Sequence, residues 1–253
     1  MVVLVVDVGN TSTSAASYRG GRVSRVFRFS TPETSVRCIQ RALHAVMGGR
    51  RPDGVAIASV VPRVDDIWRR ALAIHRWAPV HFVTSRSVLD VPLVYPRPET
   101  IGADRIANAV GGVARYGKPL IVADFGTAVT FDIITRRGYE GGVIAPGLPL
   151  VFEYLAEKTA KLPRVRYAPV RAAWGRSTLQ AMRLGAMWGY PGLVRGILEQ
   201  LRAAPPLEGA KLVLTGGYAR VVATSLGEEV RVDPTLTLFG IGRIFELNRE
   251  RPA

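Results

Sequence analysis

The chain has 253 residues, of which 48% are hydrophobic and 21% are charged, as in ordinary globular proteins. This balance excludes a disordered or fibrous class, and the length allows one large domain or two of ordinary size. Lysine and arginine outnumber the acids by 34 to 20, which gives a net charge of +14. A charge of this size attracts polyanions, so nucleic acid is the first partner to consider.

Neither nucleic acid nor a membrane is expected as a partner. The basic residues are scattered along the chain, and the sequence has no helix-turn-helix motif, zinc-finger spacing or basic run with interleaved aromatics. The apolar run at 1–6 is too short to span a membrane and lacks the basic start of a signal peptide. The single cysteine, Cys38, cannot form an internal disulfide. We therefore expect a cytoplasmic protein whose charge steers anionic substrates.

The first half of the chain predicts a group of strands followed by alternating helices and strands. Period-two and β-branched runs predict the strands, and apolar residues at helical spacing predict the helices. Gly20 and Gly21 form a hairpin turn, and a proline-rich loop separates the last helix from the preceding elements. The predicted strands are 2–6, 13–18, 23–29 and 55–60, and the predicted helices are 34–47, 62–74 and 102–116.

The second half repeats this plan, so we expect an α/β fold with two similar halves, 1–117 and 118–253, and a ligand cleft between them. A bend is expected near Gly189 and Pro191 in the longest helix. The predicted strands are 120–123, 128–134, 142–145 and 212–214, and the predicted helices are 147–159, 178–201, a helix after residue 217, and 236–248.

One short pattern ends the first strand of each half: an apolar run, an aspartate, and a glycine-centred turn with threonine. Glycine lets backbone N–H groups approach an anion, threonine can donate to phosphate, and aspartate can hold a metal ion or its water shell. A single copy would often be a plain turn, but two copies facing each other would grip one polyphosphate. The first copy comprises Asp7, Gly9, Asn10, Thr11 and Thr13, and the second comprises Asp124, Gly126 and Thr127.

Two further segments carry candidate chemistry. Gly102, Ala103, Asp104 and Arg105 open a helix, where the acid either complements the helix dipole or accepts a hydroxyl proton while the arginine binds an anion. These residues alone leave both interpretations open. The turn at 215–217, with Gly216 and Gly217, is either a plain turn or a resting place for a flat adenine ring. No P-loop and no G-x-G-x-x-G motif is present.

Taken together, these motifs resemble the type III pantothenate kinases, a family of the actin-like and sugar-kinase ATPase superfamily. The aspartate and glycine turns point to the superfamily, whereas the G-x-D-R block between them points to this family. The matching blocks occur in family order over nearly the whole chain. They are 7–11, 102–105 with Asn108, 124–128, Gly141 and Gly142 with Ile144, Pro146 and Gly147, Thr159 with Leu162 and Pro163, 215–217, and 236–238 with Gly240.

The resemblance implies a duplicated actin-like, ribonuclease H-like ATPase fold and transfer of the ATP γ-phosphate to pantothenate, the first step towards coenzyme A. It also implies a homodimer with the substrate site at the interface, Mg2+ accompanying ATP near Asp7, and a monovalent cation, K+ or NH4+, at Asp124. Asp104 resembles the general base, and Asp7–Thr13 and Thr127 resemble phosphate contacts. The implied pantothenate contacts are Tyr95, Gly102, Ala103, Asp104, Arg105 and, from the partner subunit, the residue equivalent to Thr178.

Two positions depart from the family pattern. Ser177 stands before Thr178 where asparagine is usual, and Phe239 stands where glutamate is common. Both departures concern the substrate site and the interface rather than the phosphate turns. Two alternatives remain open at this point: a non-catalytic regulator or binding protein with the same fold, and another phosphotransferase or phosphatase of the superfamily.

Overall fold

The computed structural model describes residues 1–74, 79–227 and 230–249. Two short 3-10 helices, Pro98–Thr100 and Pro205–Leu207, accompany the main elements. The strands are β1 Val3–Val8, β2 Ser12–Arg19, β3 Arg22–Val23, β4 Phe27–Ser30, β5 Gly54–Ser59, β6 Val80–Phe82, β7 Leu120–Phe125, β8 Ala128–Ile134, β9 Tyr139–Pro146, β10 Lys211–Thr215 and β11 Arg231–Val232. The helices are α1 Val36–Met47, α2 Pro62–Ile74, α3 Ala103–Tyr116, α4 Leu148–Lys158, α5 Thr178–Arg202, α6 Ala219–Leu226 and α7 Leu236–Asn248.

The chain divides into two compact units. The first comprises Met1–Gly117, Arg137–Gly141 and Thr235–Ala253, and the second comprises Lys118–Arg136 and Gly142–Pro234. This division differs from the continuous halves 1–117 and 118–253, because the closing helix α7 packs against α3 and β1 of the first unit. The burial of α7 explains this packing. Nine of its residues are buried, which exceeds the number that a surface helix buries with a single face.

The first sheet has the strand order β3-β2-β1-β5-β6, with β4 also paired to β2. Strand β1 lies antiparallel to β2 and parallel to β5, and its residues from Val3 to Val6 are fully buried. A continuous apolar run of this kind is typical of a strand covered on both faces. Leu4, Ile57 and Trp68 belong to the core that α1 and α2 complete on one side of this sheet.

The second sheet has the order β11-β10-β7-β8-β9. Read in the opposite direction and numbered from β7, this order is third, second, first, fourth, fifth. The five-strand path of the first sheet has the same order when its strands are numbered along the chain without β4. Strand β7 pairs antiparallel with β8 and parallel with β10, as β1 does with β2 and β5. The two halves of the sequence therefore form the same arrangement, and each places its aspartate-containing strand in the centre of a sheet.

The predicted elements recur with few exceptions. Helices α2 and α7 have the predicted bounds, and α5 runs from Thr178 to Arg202 with Pro191 inside it. The third predicted strand, 23–29, is two short strands instead, β3 and β4. Strands β6 and β11, of three and two residues, were not predicted because such short edge strands carry no readable periodicity. Within the described residues, no helix combines the length and apolar character needed to cross a membrane.

Candidate active site

The first glycine turn joins β1 to β2 in the first unit. Asp7 lies near the end of β1 and is paired in register with Ser14. The Gly9 N–H donates to the carbonyl oxygen of Ser12 at 3.2 Å, which closes the turn. The Thr11 carbonyl accepts from the Thr31 N–H at 3.1 Å, and the side chains of Asn10 and Thr11 are exposed. The tip of the turn thus presents polar side chains and backbone to solvent.

Thr13 differs from its expected role as a phosphate contact. Its side chain is fully buried, and its hydroxyl is 2.8 Å from the Thr31 hydroxyl. The alternation of side chains along β2 directs Thr13 into the unit, while Ser12 points the other way and is exposed. The hydroxyl of Thr13 therefore stabilises the base of the turn and is not presented to a ligand.

Asp104 is the second residue of α3, two positions after the N-cap residue Gly102. Its Oδ1 accepts a hydrogen bond from the Arg105 N–H at 2.8 Å. A Cβ at position 102 would lie 2.5 Å from this oxygen, so the carboxylate occupies space that only glycine leaves free. Burial raises the pKa of the Asp104 carboxyl above its usual value, while the backbone N–H and the charge of Arg105 act in the opposite direction. A raised pKa makes a carboxylate a stronger base.

Tyr139, in the first unit, connects two of the predicted substrate contacts, Tyr95 and Arg105. The ring of Tyr139 is 6.3 Å from the Tyr95 ring, and the guanidinium carbon of Arg105 is 5.8 Å from the Tyr139 ring centroid. Tyr139 is fully buried and is held by backbone hydrogen bonds to Pro92 and Val94. We did not predict a role for Tyr139 from the sequence, because its position beside Tyr95 results from long-range pairing. It supports the ring of Tyr95 and the charge of Arg105.

The second glycine turn, between β7 and β8 in the second unit, is closed by a hydrogen bond from the Gly126 N–H to the Ala128 carbonyl at 3.0 Å. The Thr127 carbonyl accepts from the N–H of Gly147, the N-cap of α4, also at 3.0 Å. A Cβ at 147 would lie 2.2 Å from the Thr127 oxygen, so this approach requires glycine. The start of α4 therefore rests directly on the turn.

A third turn, at Gly216 and Gly217, lies against the same strand end. Gly216 has a φ of +89°, and a Cβ there would lie 2.4 Å from Asp124 Oδ1. The N–H of Tyr218 donates to the carbonyl of Phe125 at 3.1 Å. A Cβ at Gly217 would meet nothing within 4 Å. The second unit thus brings together Asp124, the Gly126–Thr127 turn and the Gly216–Gly217 turn.

Thr178 is exposed at the first position of α5. Ser177 is the N-cap of this helix, and its hydroxyl accepts from the Gln180 N–H at 3.3 Å. Serine and asparagine cap helices about equally well, so serine at this position preserves the capping that presents Thr178.

The oxygen-rich turns fit the cations that accompany nucleotides. Asp7 and Asp124 supply carboxylates beside backbone carbonyls, the hard ligands that Mg2+ and K+ take. The described part of the chain contains no group of three or more His, Cys, Asp or Glu side chains that would hold a metal without other ligands. A divalent ion would therefore take most of its ligands from phosphate and water, as is usual for Mg2+.

Comparison with proteins of known structure supports the fold. The chain is similar to a ROK family glucokinase from Streptomyces griseus, solved with glucose and AMPPNP, with a TM-score of 0.57, 16% identity and coverage of 99% of this chain and 100% of that one. It is also similar to component A of (R)-2-hydroxyglutaryl-CoA dehydratase from Acidaminococcus fermentans, with a TM-score of 0.56, 12% identity and coverage of 99% and 98%. The protein has the duplicated actin-like fold.

Comparison of sequences identifies the family. A protein from Akkermansia muciniphila named type III pantothenate kinase is 41% identical over 95% of this chain and 97% of its own length. A protein of the same name from Anaeromyxobacter sp. strain K is 36% identical over 98% of this chain and its full length. The sequence model of the type III pantothenate kinase family matches residues 3–200. The chain therefore belongs to the type III pantothenate kinase family.

Proposed function

We propose that the protein transfers the γ-phosphate of ATP to the hydroxyl of pantothenate, giving 4′-phosphopantothenate in the first step of coenzyme A synthesis. The proposal is supported above all by relatives of this family that match 95–98% of the chain. Asp104 of the G-x-D-R block, whose pKa is raised by burial, is the group to which we assign the base. A regulator without turnover would not need a carboxylate whose pKa is raised by burial. A cytoplasmic location accords with this function because ATP is supplied there.

In this reaction Asp104 accepts the proton of the attacking hydroxyl. The new bond forms between the hydroxyl oxygen and the γ-phosphorus, the bond from that phosphorus to the bridging oxygen breaks, and ADP leaves with the electron pair. A carboxylate remains a far weaker base than an alkoxide, so it takes the proton late and its position matters as much as its basicity. The close packing of Asp104 against Gly102 supplies that position.

We assign the phosphate contacts of ATP to the exposed turn that includes Asp7, Gly9, Asn10 and Thr11 and to Gly126 and Thr127. Gly216 and Gly217 are assigned to the nucleoside side, where the missing side chains permit close approach. Mg2+ bound with ATP supplies charge neutralisation on the transferred phosphate. Asp7 is the protein group assigned to that ion, and Asp124 is assigned to an activating monovalent cation, K+ or NH4+.

Pantothenate is assigned to Tyr95, Gly102, Ala103, Asp104 and Arg105, with the partner subunit's Thr178 completing the site. This assignment requires a homodimer, and one face of α5 suits that role. Trp188 on this face is 57% exposed and Leu193 is 38% exposed. Four glycines at spacings of four, three and four leave the helix backbone open to close approach, since a Cβ at any of them meets nothing within 4 Å. They are Gly185, Gly189, Gly192 and Gly196.

The test is an assay of ADP formation with and without pantothenate, with K+ replaced by Na+ in a parallel series. We expect turnover that requires pantothenate and falls when K+ is replaced. ADP formation that does not depend on pantothenate would indicate a phosphatase or another kinase. Absence of turnover with bound ATP would indicate a regulatory protein.

A further inference from the structure

The segment Arg137–Gly141 belongs to the first unit, although the chain before and after it belongs to the second. It comprises the end of the turn between β8 and β9 and the first residues of β9. Gly138, Tyr139 and Gly141 of this segment lie against the loop that carries Tyr95. None of the three is assigned a substrate contact. The segment therefore adjoins the acceptor contacts without a role of its own in the proposed function.

The backbone of this segment holds the loop in place. The Tyr139 N–H donates to the Pro92 carbonyl at 2.9 Å, and the Val94 N–H donates to the Tyr139 carbonyl at 2.8 Å. Three of the seven residues at 92–98 are proline and have no N–H to donate, so the loop has few means of fixing itself. The two hydrogen bonds to Tyr139 therefore help to determine where Tyr95 lies.

Two glycines permit this close packing. Gly138 has a φ of +143°, and a Cβ there would overlap the carbonyl oxygen of Pro92. Gly141 has a φ of +135°, and a Cβ there would lie 3.3 Å from Cε2 of the Tyr95 ring. A side chain at residue 141 would thus press on the ring of Tyr95. The segment touches the loop through its backbone on both sides of Tyr139.

The ring of Tyr139 contacts two side chains from separate elements. Its centroid lies 6.3 Å from that of the Tyr95 ring, with the planes inclined at 65°, and 5.8 Å from the guanidinium carbon of Arg105 on α3. Aromatic rings attract each other at about 4.5–7 Å between centroids, and a guanidinium is attracted to a ring within about 6 Å. Tyr139 is fully buried, whereas Tyr95 and Arg105 are half-buried. One fixed ring therefore orients two more exposed side chains.

We propose that Tyr139 and Gly141 are positioning residues for the acceptor: they hold Tyr95 and Arg105 in the orientation that receives it. This inference rests on the proposed function. Tyr139 has no exposed surface, so it acts through its neighbours rather than by touching the acceptor. Side chains that are ordered before a ligand arrives lose less entropy when it binds. Loss of this order should therefore weaken binding of pantothenate more than it slows the chemical step.

The first test replaces the ring of Tyr139. Tyr139→Leu should raise KM for pantothenate roughly tenfold, because two ring contacts are lost, and should leave kcat and KM for ATP within about twofold of the wild type. Tyr139→Phe retains the ring and should keep KM for pantothenate within about twofold. A purely structural role would give a lower maximum rate with both KM values unchanged, since only the amount of folded enzyme would fall. That result would overturn the inference.

The second test uses Gly141→Ala, which leaves the buried ring in place. It should also raise KM for pantothenate, because the added Cβ displaces the Tyr95 ring. Gly49→Ala is the matched control in the same unit, since residue 49 has a φ of +79° and its Cβ would meet nothing within 4 Å. Trp68→Leu, which removes a fully buried ring elsewhere in the first unit, is the control for lost core packing. Both controls should keep the wild-type KM for pantothenate.

A double-mutant cycle tests whether Tyr139 acts through Tyr95. In the Tyr95→Leu background, Tyr139→Leu should raise KM for pantothenate by a smaller factor than in the wild type, because one of its two routes is already lost. The same factor in both backgrounds, or an unchanged KM in both Tyr139→Leu and Gly141→Ala, would overturn the inference while wild-type turnover leaves the kinase function intact. Absence of pantothenate-dependent turnover in the wild type would instead overturn the proposed function.

Discussion

The carboxylate of Asp104 occupies the space that a side chain of residue 102 would need, since a Cβ at Gly102 would lie 2.5 Å from Asp104 Oδ1. Gly102 has an ordinary φ of −57°, so its backbone conformation does not require glycine. The contact with Asp104 imposes that requirement. Glycine at residue 102 therefore leaves room for the Asp104 carboxylate, and the backbone conformation of residue 102 would accept other residues.

Gly102→Ala should lower kcat by displacing the Asp104 carboxylate. A displacement of about 1 Å at a reacting group can cost ~10²-fold in rate. KM for ATP should change little, because Gly102 belongs to the residues assigned to the acceptor and not to those assigned to ATP. Steady-state kinetics with varied ATP and pantothenate measure both quantities. Wild-type kcat in a folded Gly102→Ala variant would contradict the assigned role of Asp104.

Asp104→Asn should remove general-base catalysis, which typically contributes ~10²–10⁴-fold, and leave the binding of both substrates measurable by calorimetry. Because burial raises the pKa of Asp104, the acid limb of the wild-type pH profile should lie above the usual range for aspartate. The carboxylate must be ionised to act, so the rate falls as the pH drops through this raised pKa. An acid limb at the pKa of an exposed aspartate would argue against Asp104 as the base.

Asp104 should also make folding stability depend on pH. A carboxyl whose pKa is higher in the folded than in the unfolded protein binds more protons when folded, so stability falls as the pH rises between the two values. Asp104→Asn should therefore be more thermostable than the wild type at neutral pH, and the difference should shrink in acid. Melting temperatures across this pH window measure the effect. Lower stability of Asp104→Asn at neutral pH would show that ionised Asp104 is net stabilising.

Asp124→Ala should abolish the difference between K+ and Na+ in the turnover assay, because the carboxylate assigned to the monovalent cation is gone. Gly216→Ala should weaken the same response, since a Cβ there would lie 2.4 Å from Asp124 Oδ1 and the φ of +89° disfavours alanine. Gly209→Ala is the matched control, because residue 209 also has a positive φ, +69°, but its Cβ would meet nothing within 4 Å and it has no assigned ligand. An unchanged K+ response in folded Asp124→Ala would place that ion elsewhere.

A mixture of two inactive variants tests the shared site. Asp104→Asn lacks the base, and Thr178→Ala lacks the contact assigned to the partner subunit. In a heterodimer, one site combines the intact Asp104 of one chain with the intact Thr178 of the other. Co-refolding equal amounts should therefore restore about a quarter of wild-type activity, since half the dimers are mixed and each has one intact site. No recovery in dimers shown to be mixed would mean that both residues act within one chain.

The two departures from the family pattern have physical counterparts in the structure. Ser177 retains the capping of α5, as described above. The Arg115 guanidinium carbon lies 3.8 Å from the ring centroid of Phe239, which the Tyr18 ring also contacts at 6.1 Å. A ring face attracts a cation, so Phe239 provides a partner for Arg115 where a carboxylate would have formed an ion pair. The hydrocarbon of the ring also suits its burial, with 8% exposure.

The features that depend on local pattern could be predicted before the structure was known. Apolar runs ending in Asp7 and Asp124 mark the two central strands, and the helices Pro62–Ile74 and Leu236–Asn248 have the predicted bounds. Turn residues and helical periodicity act over a few positions, so they can be interpreted without knowing the rest of the chain. The family blocks, including the G-x-D-R segment, are equally local.

The groups that those elements contact became known from the folded structure. It buried Thr13 against Thr31, paired Tyr139 with Tyr95, packed α7 into the first unit, and placed the Asp104 carboxylate against Gly102. All of these contacts except the last join residues far apart in the chain, so they depend on which face a distant element covers. A local pattern fixes backbone shape and alternation of burial, whereas burial, pKa and reach to a ligand follow from long-range packing.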